Sequence, residues 1–336
     1  MRLGVLDVGS NTVHLLVVDA HHGAHPVPQT SEKSVLRLAE QMDDRGKITR
    51  AGADHLIRTV RNAVASASAM SCEDLIAFAT SAVRDASNAG AVLSRVYTET
   101  GVTLEVLTGE EEAVLTFLAV RRWYGWSAGR LLMVDVGGGS LEIATGVDEE
   151  PDVAVSLPLG AGRLTRAWLT NDPPRRRELD ALREHIAEQL ETPVRALQAP
   201  GFPDRVVGTS KSIRSLARLS GAAPSSMGPR ARRTLTDAGL RQVIAFISRM
   251  SAGDLAELEG VSASRSHQLI AGALVVQATM RALEVDEMDL CPWALREGVI
   301  LRKLDWLDWL DGIDRTAQLT RRPPRRTGRT VARGAR

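Results

Sequence analysis

The sequence predicts an α/β protein made of two similar halves that face each other across a cleft. Two stretches carry this prediction, because each is an apolar run that ends in an aspartate and a glycine turn: residues 3–12 and 131–142. Such runs are typical of strands buried on both faces. The two aspartates, Asp7 and Asp135, lie 128 residues apart in the sequence, which is on the order of one domain length. A motif repeated at this spacing indicates an internal duplication.

The glycine turns after both aspartates have the chemistry of phosphate-binding loops. Glycines lack a Cβ, so successive backbone N–H groups can approach an anion, and an aspartate at the strand end can hold a divalent cation or an attacking water. Each turn taken alone is equally consistent with a tight turn between two strands. The repetition favours phosphate and supplies these candidate ligands: Ser10, Asn11, Thr12, Gly137, Gly138, Gly139 and Ser140.

The composition of the 336-residue chain is that of a globular protein, with 44% hydrophobic and 25% charged residues. No apolar stretch approaches the roughly 20 residues of a membrane helix, and the N-terminus has no signal-like segment. We therefore expect a cytoplasmic protein with no membrane partner.

Cys72 and Cys291 lie far apart and indicate neither a disulfide framework nor a zinc site. The histidine-rich stretch at 21–26 fits an exposed hairpin loop better than a metal site, because Gly23 and Pro26 mark a turn.

The positive charge of the chain is concentrated at its C-terminus. Of 42 basic and 41 acidic residues, seven arginines and no acid lie in residues 316–336, which leaves the remainder with a net charge of −6. Polyanion binding by the folded body must then depend on local cations. We predict a disordered basic tail at 311–336, either a solvated terminus or a flexible arm that concentrates polyphosphate or nucleic acid. No specific nucleic-acid partner is expected.

The remaining elements alternate between strands and helices. Aromatic residues and glycines at 121–129 mark the boundary between an N-terminal domain, 1–125, and a C-terminal domain, 126–310. Thr49 is the predicted N-cap of the first helix, and residues 171–174 cap a helix that reaches 197. Apolar periodicity predicts further strands at 13–19, 75–79, 102–107, 141–145, 153–157 and 205–207, and further helices at 88–100, from 109, and at 235–250, 266–283 and 294–305.

Arg84 lies shortly after the carboxyl end of the strand at 75–79. Open α/β sheets usually bind ligands at the carboxyl ends of their strands. An arginine at this position can hold a phosphate through two parallel hydrogen bonds. Pairing with Asp85 or with a helix end explains Arg84 equally well on the sequence alone.

Three consecutive glutamates open the helix from residue 109, and their spacing assigns them different tasks. Thr108 and Glu111 form a capping-box pattern, which turns the Glu111 side chain back to the Thr108 backbone. Glu112 is rotated by about 100° from Glu111 on a helix of 3.6 residues per turn, so it is free to face the cleft. There it could orient a water and accept its proton during attack on a terminal phosphorus. Complementing the helix dipole is the alternative role.

A further glycine-containing turn follows the strand at 205–207. It resembles half of a P-loop but lacks the glycine before Lys211, so a Walker nucleotide-binding motif is excluded. Lys211 is either a cation for a longer phosphate chain or an exposed lysine on a turn. The turn adds four candidate phosphate-binding residues: Gly208, Thr209, Ser210 and Lys211.

The ordered set of motifs resembles the exopolyphosphatase/guanosine pentaphosphate phosphohydrolase (Ppx/GppA) family. The similarity runs from about residue 3 to residue 305 and comprises residues 7–12, 80–88, 108–113, 135–142, 208–210 and 294–298. That family belongs to the actin, Hsp70 and sugar kinase superfamily. The resemblance therefore implies duplicated ribonuclease H-like α/β domains with the active site in the cleft between them.

The resemblance further implies roles for individual residues. Glu112 maps onto the family's catalytic base, Asp135 and Glu142 would hold Mg²⁺ or Mn²⁺, and Asp7 would assist the water or the metal. The match at residues 80–88 favours phosphate binding by Arg84. Glu142 alternates with apolar neighbours and could instead face solvent. Lys211 stands where the family often has glycine, which puts a nucleoside pocket at that turn in doubt. A homodimer is also expected from the resemblance.

Three hypotheses for function follow from these observations. The first is an exopolyphosphatase that releases orthophosphate from the end of inorganic polyphosphate, with short chains as the expected substrate. The second is hydrolysis of guanosine pentaphosphate (pppGpp), because the same motifs serve both reactions. The third is an ATP-binding actin-like switch protein, which would need an adenosine pocket and could dispense with Glu112.

Overall fold

The structure of the protein is a computed structural model that describes residues 1–21 and 28–320. Two predictions fall wholly or partly outside this range: the hairpin loop at 21–26, apart from its first residue, and the basic tail from residue 321 onward. Within the described residues, no helix is both long enough and apolar enough to cross a membrane.

The first sheet is built around the hairpin that carries Asp7. Its strands are β1 (Arg2–Val8), β2 (Thr12–Asp19), β3 (Pro28–Val35), β4 (Asp74–Ala79) and β5 (Glu105–Val106). Their order across the sheet is β3-β2-β1-β4-β5. β2 is antiparallel to both of its neighbours, whereas β4 is parallel to both β1 and β5.

The second sheet repeats this arrangement around Asp135. Its strands are β6 (Leu131–Val136), β7 (Leu141–Gly146), β8 (Val153–Leu157), β9 (Arg205–Gly208), β10 (Thr234–Thr236) and β11 (Glu287–Leu290). The order β8-β7-β6-β9-β11 has the same sequence of antiparallel and parallel pairings as the first sheet, and β10 extends it at the far edge. The predicted duplication of an α/β unit is therefore confirmed.

Helices cover the sheets and enclose an apolar core in each half. Those of the first half are α1 (Arg50–Ala69), α2 (Ser81–Arg84), α3 (Ala89–Thr100) and α4 (Gly109–Tyr124). Those of the second half are α5 (Ala161–Trp168), α6 (Arg176–Gln198), α7 (Lys211–Leu219), α8 (Asp237–Ile247), α9 (Ala252–Ala256), α10 (Leu269–Ala282) and α11 (Leu295–Thr320). α1 and α3 pack on the first sheet, while α5 to α8 and α10 pack on the second.

The last helix of each half packs on the sheet of the other half. Phe117 and Leu118 of α4 lie in an apolar cluster with β6, β7 and β9 of the second sheet. Val299 and Ile300 of α11 lie in a cluster with β1, β2 and β4 of the first sheet. A Cβ added at Gly298 of α11 would overlap the α4 backbone, so the two helices are in close contact. α4 and α11 thus join the two halves behind the cleft.

Some elements differ from those predicted. All eight residues of β3 are exposed, so no apolar alternation marked this edge strand. The predicted cap at 171–174 is wrong, because α6 has Arg175 at its N-cap and the Asn171 amide contacts Glu178. The predicted strand at 102–107 is reduced to β5, and α11 continues to Thr320 instead of ending near 305. The first ten residues of the predicted tail therefore belong to a helix.

Candidate active site

The two glycine turns have the same hydrogen-bonding pattern. In the first turn the Gly9 N–H donates to the Thr12 carbonyl over 3.0 Å, and in the second the Gly137 N–H donates to the Ser140 carbonyl over 2.9 Å. In each turn four residues, 9–12 and 137–140, separate the last residues that pair across the antiparallel strands, β1 with β2 and β6 with β7. The duplication therefore extends to the turns themselves, which lie at equivalent edges of their sheets.

The two turns touch each other across the cleft. A Cβ added at Gly138 would lie 3.2 Å from the Cβ of Ser10, and one added at Gly139 would overlap the Ser81 side chain. The Ser10 and Ser81 hydroxyl oxygens are 3.1 Å apart and share a hydrogen bond. A side chain at 139 would collide with Ser81, and one at 138 would crowd Ser10, so glycines allow the two halves to approach closely here. Without side chains at these positions, backbone N–H groups of the turn can approach an anion.

A cavity of about 260 Å³ lies between the halves at these turns. Three of the residues predicted for the site do not line it: Arg84, Gly139 and Gly208. A Cβ at Gly208 would lie 2.7 Å from an Ile213 methyl group, so this glycine is required for packing. The predicted residues that do line the cavity are Asp7, Ser10, Asn11, Thr12, Glu112, Asp135, Gly137, Gly138, Ser140, Glu142, Thr209, Ser210 and Lys211.

Four carboxylates converge on the cavity: Asp7, Glu112, Asp135 and Glu142. Burial raises the pKa of each of them above its ordinary value. Repulsion from a neighbouring carboxylate adds to this effect, with Glu142 acting on Glu112 and Asp135 acting on both Glu142 and Asp7. Such a cluster has an excess of negative charge that a bound cation would relieve.

Hydroxyl groups hold two of these carboxylates in place. The Thr209 hydroxyl donates to Asp135, and the Ser156 hydroxyl donates to Glu142 over 3.0 Å. Asp135 and Glu142 are also directly paired across β6 and β7. Glu142 is only 5% exposed, so the alternative in which it faces solvent is excluded.

The first turn of α4 separates Glu111 from Glu112 as predicted. The Thr108 N–H donates to Glu111 over 2.7 Å, and the Glu111 N–H donates to the Thr108 hydroxyl over 3.1 Å, which confirms the capping box. Glu112 is buried and lines the cavity. The geometry therefore leaves Glu112 available for chemistry, while its role as a base stays a prediction.

Arg84 does not reach the cavity as its predicted phosphate contact would require. Its Nη1 donates to the Leu107 carbonyl over 3.0 Å and also to Glu112. Its Nε lies 3.4 Å from an Asp85 carboxylate oxygen, which is the alternative pairing considered for this residue. The guanidinium charge is directed at Glu112, where it opposes the effect of burial on the pKa of that carboxyl.

Sequence reasoning missed several cations of the cavity wall. Lys33 of β3, Arg214 of α7 and Arg265 line the cavity together with Lys211. Among the described residues, no carboxylate lies within 4.0 Å of any of these four side chains. Arg214 could have been found from its position three residues after Lys211 on one helix. Arg265 stands where the resembled family often has an arginine, which is a signal that could have found it. Lys33 belongs to no motif and reaches the cavity only through the fold.

Three buried donors in this wall have no hydrogen-bond partner among the described residues: the Asn11 side-chain amide, the Arg265 Nε and the Arg296 Nη1. An unpaired buried donor costs on the order of 1–3 kcal/mol. The pKa of Lys211 is lowered by burial and by the nearby charges of Arg214, Lys33 and Arg265. A bound anion would satisfy the unpaired donors and relieve the repulsion between the cations.

The carboxylates suit a hard divalent cation of the Mg²⁺ type. Across the described part of the chain, no three His, Cys, Asp or Glu side chains are close enough to complete a metal site by themselves. Mg²⁺ does not need such a cage, because it keeps several waters and is commonly bound by one or two carboxylates together with substrate phosphates. The Asp135 and Glu142 pair fits that requirement.

Comparison with known proteins identifies the family. The model of the Ppx/GppA phosphatase family matches residues 17–307. The chain belongs to this family. Exopolyphosphatase 1 of Mycobacterium tuberculosis is 64% identical over 305 residues, which cover 91% of this chain and 89% of that relative. Exopolyphosphatase 1 of Mycobacterium leprae is 62% identical over 306 residues, covering 91% of this chain and 90% of the relative.

Solved structures agree with the fold. The Aquifex aeolicus PPX-GPPA enzyme superimposes with a TM-score of 0.75 at 26% identity, covering 90% of this chain and 99% of that one. An exopolyphosphatase from Cytophaga hutchinsonii superimposes with a TM-score of 0.82 at 24% identity, covering 91% of this chain and 98% of that one. The duplicated α/β fold is therefore that of Ppx/GppA proteins.

Proposed function

We propose that this Ppx/GppA protein is an exopolyphosphatase that hydrolyses the terminal phosphoanhydride bond of inorganic polyphosphate and releases orthophosphate. The observation that carries the proposal is the contact of two equivalent glycine turns across a cavity that also contains Glu112. The mycobacterial relatives named Exopolyphosphatase 1 support the same activity. A preference for short chains and a homodimeric state stay predictions from the family resemblance.

In the proposed reaction, the backbone N–H groups of both turns and the Asn11 amide hold the terminal phosphates. Glu112 orients a water and accepts its proton as the water oxygen attacks the terminal phosphorus. The bond from that phosphorus to the bridging oxygen breaks, and the shortened chain leaves with the bridging oxygen. The developing negative charge is stabilised by the same N–H groups and by Arg265.

Asp135 and Glu142 would hold Mg²⁺ or Mn²⁺, with Asp7 assisting the water or the metal. The bound ion would supply positive charge at the phosphate oxygens and offset the excess negative charge of the carboxylate cluster. The ionised form of Glu112, which a base requires, is favoured both by such a cation and by Arg84.

The substrate class is tested by comparing phosphate release from tripolyphosphate, long-chain polyphosphate, pppGpp and ATP in the presence of Mg²⁺. We expect the polyphosphates to be hydrolysed with the highest kcat/KM. Faster release from pppGpp would favour the second hypothesis, since the same turns could serve it. Binding of ATP without phosphate release would favour the actin-like switch.

The role of Glu112 is tested by Glu112→Gln, which keeps the size of the side chain but removes the base. We expect kcat to fall by roughly 10²–10⁴-fold, the usual contribution of general base catalysis, with little change in polyphosphate binding. Glu110→Gln is the matched control, because Glu110 occupies the same helical turn but is exposed. Near-normal turnover by Glu112→Gln would remove Glu112 from the mechanism.

A further inference from the structure

Helix α5 holds the second glycine turn by its carbonyl groups. Backbone N–H groups in the first turn of α5 donate to the Gly137 and Gly138 carbonyls over 3.0 and 2.9 Å. The Arg163 Nε donates to the Gly139 carbonyl over 2.8 Å. A Cβ added at Gly160 would overlap the backbone of Gly139, so α5 begins in direct contact with the turn.

These contacts fix the direction of the N–H groups in the turn. In a planar trans peptide the carbonyl of one residue and the N–H of the next point in opposite directions. The carbonyls of Gly137, Gly138 and Gly139 are turned towards α5. The N–H groups that follow them in the chain are therefore turned away from α5. Arg163 sets the last of these peptides, whose N–H belongs to Ser140 in the wall of the catalytic cavity.

The Arg163 guanidinium also reaches across to the first half of the protein. Its Nη2 donates to Asp85, which follows the last residue of α2. The other carboxylate oxygen of Asp85 lies 3.4 Å from the Arg84 Nε. Asp85 is thus placed between two guanidinium groups, one from each half of the chain.

Arg84 continues this series of contacts to the catalytic cavity. Its Nη1 donates to Glu112 and, over 3.0 Å, to the Leu107 carbonyl. The charges therefore alternate in sign from Arg163 through Asp85 and Arg84 to Glu112. Each side chain in the series is held by a neighbour of opposite charge.

We infer that Arg163 and Asp85 are positioning residues that link the second glycine turn to Glu112. We name the series the charge bridge: it runs from the Gly139 carbonyl through Arg163, Asp85 and Arg84 to Glu112. The inference rests on the proposed exopolyphosphatase function, in which the turn holds a terminal phosphate and Glu112 takes the proton of the attacking water. These two groups belong to different halves, so their separation must be fixed for the attack to occur. The charge bridge fixes it.

The link between Arg163 and Asp85 serves geometry more than stability. Their side chains are 38% and 36% exposed, and ion pairs screened by solvent to this extent contribute little to the free energy of unfolding. A displacement of about 1 Å at a reacting group, by contrast, can lower the rate by up to about 10²-fold. Breaking the link should therefore change kcat without changing the melting temperature.

Asp85→Asn tests the bridge, because it removes the charge of Asp85 and keeps its shape. We expect kcat for tripolyphosphate to fall about tenfold with little change in KM, since the backbone of α5 still holds the turn. Asp180→Asn is the matched control. Asp180 also contacts two arginines, Arg176 and Arg183, but all three lie on the exposed face of α6. The two variants should have equal melting temperatures.

A double variant shows whether Asp85 and Arg163 act through the same link. Arg163→Gln breaks the bridge from its other side, so adding Asp85→Asn to it should lower kcat no further. Independent effects would instead multiply, giving a loss of about a hundredfold if each single variant loses about tenfold.

Either of two results would overturn the bridge: a double variant whose kcat is the product of the two single losses, or equal kcat for Asp85→Asn and Asp180→Asn. Both would leave the proposed function intact. A wild-type protein that releases no phosphate from any polyphosphate would overturn the proposed function instead.

Discussion

Glu112 shows how one buried carboxylate can make the stability of the protein depend on pH. Burial, together with the charge of Glu142, raises the pKa of Glu112 above its ordinary value of 4.5. A carboxyl whose pKa is higher in the folded than in the unfolded state binds more protons when folded. The stability of the protein then falls as pH rises from about 4.5 towards the raised pKa.

Glu112→Gln should remove this pH-dependent loss. We expect its melting temperature in metal-free buffer to equal that of the wild type near pH 4 and to exceed it increasingly as pH rises through neutrality. Thermal unfolding measured over this range checks the prediction, with Glu110→Gln as the exposed control. A constant difference at all pH values would mean that packing, and not titration, decides the effect.

At the scale of elements, local geometry was predictable and tertiary proximity was not. The different tasks of Glu111 and Glu112 followed from the helical repeat and a capping pattern, both of which depend on neighbouring residues only. The two equivalent glycine turns were predictable because the motif occurs twice. By contrast, β3 is exposed along its length and polar except at its two ends, so nothing in its sequence indicated that Lys33 would reach the cavity. The ion pair of Arg84 with Glu112 was not predictable either, because it depends on how α2 and α4 meet in the folded protein.

The contact between the two glycine turns makes a prediction about Gly139. A methyl group at this position would overlap Ser81, so Gly139→Ala should push the turns apart and lower kcat/KM by roughly 10²-fold, the usual effect of a displacement of about 1 Å. Gly90→Ala is the control, because nothing lies within 4 Å of its added Cβ and Gly90 is in α3. Steady-state kinetics of both variants measure kcat/KM. Equal kcat/KM values for Gly139→Ala and Gly90→Ala would show that the turns can shift without loss of activity.

At the scale of the whole molecule, α4 and α11 make the two halves one cooperative unit. Arg122 of α4 donates to Glu149 of the second half over 2.7 Å and to Asp305 of α11 over 2.8 and 2.9 Å. The side chains of these two ion pairs, Arg122 with Glu149 and Arg122 with Asp305, are half-buried and lie away from the cleft. No local pattern predicts this contact, since residues 122 and 305 are 183 positions apart.

Arg122→Ala should therefore lower stability while leaving catalysis unaffected. We expect a loss of about 1–3 kcal/mol and a single unfolding transition shifted down by about 2–4 °C. Arg195→Ala is the control, because its partner Glu191 lies on the same helix and both side chains are exposed. Calorimetry measures the number of unfolding transitions and their temperatures. Two separate transitions in the wild type would contradict the inference that the two halves unfold as one cooperative unit.

The exchange of α4 and α11 has a consequence for dividing the chain. Each repeat ends in a helix that lies in an apolar cluster with the sheet of the other repeat, so a single repeat expressed alone would leave an apolar sheet face exposed to water. Neither repeat is therefore a complete folding unit by itself.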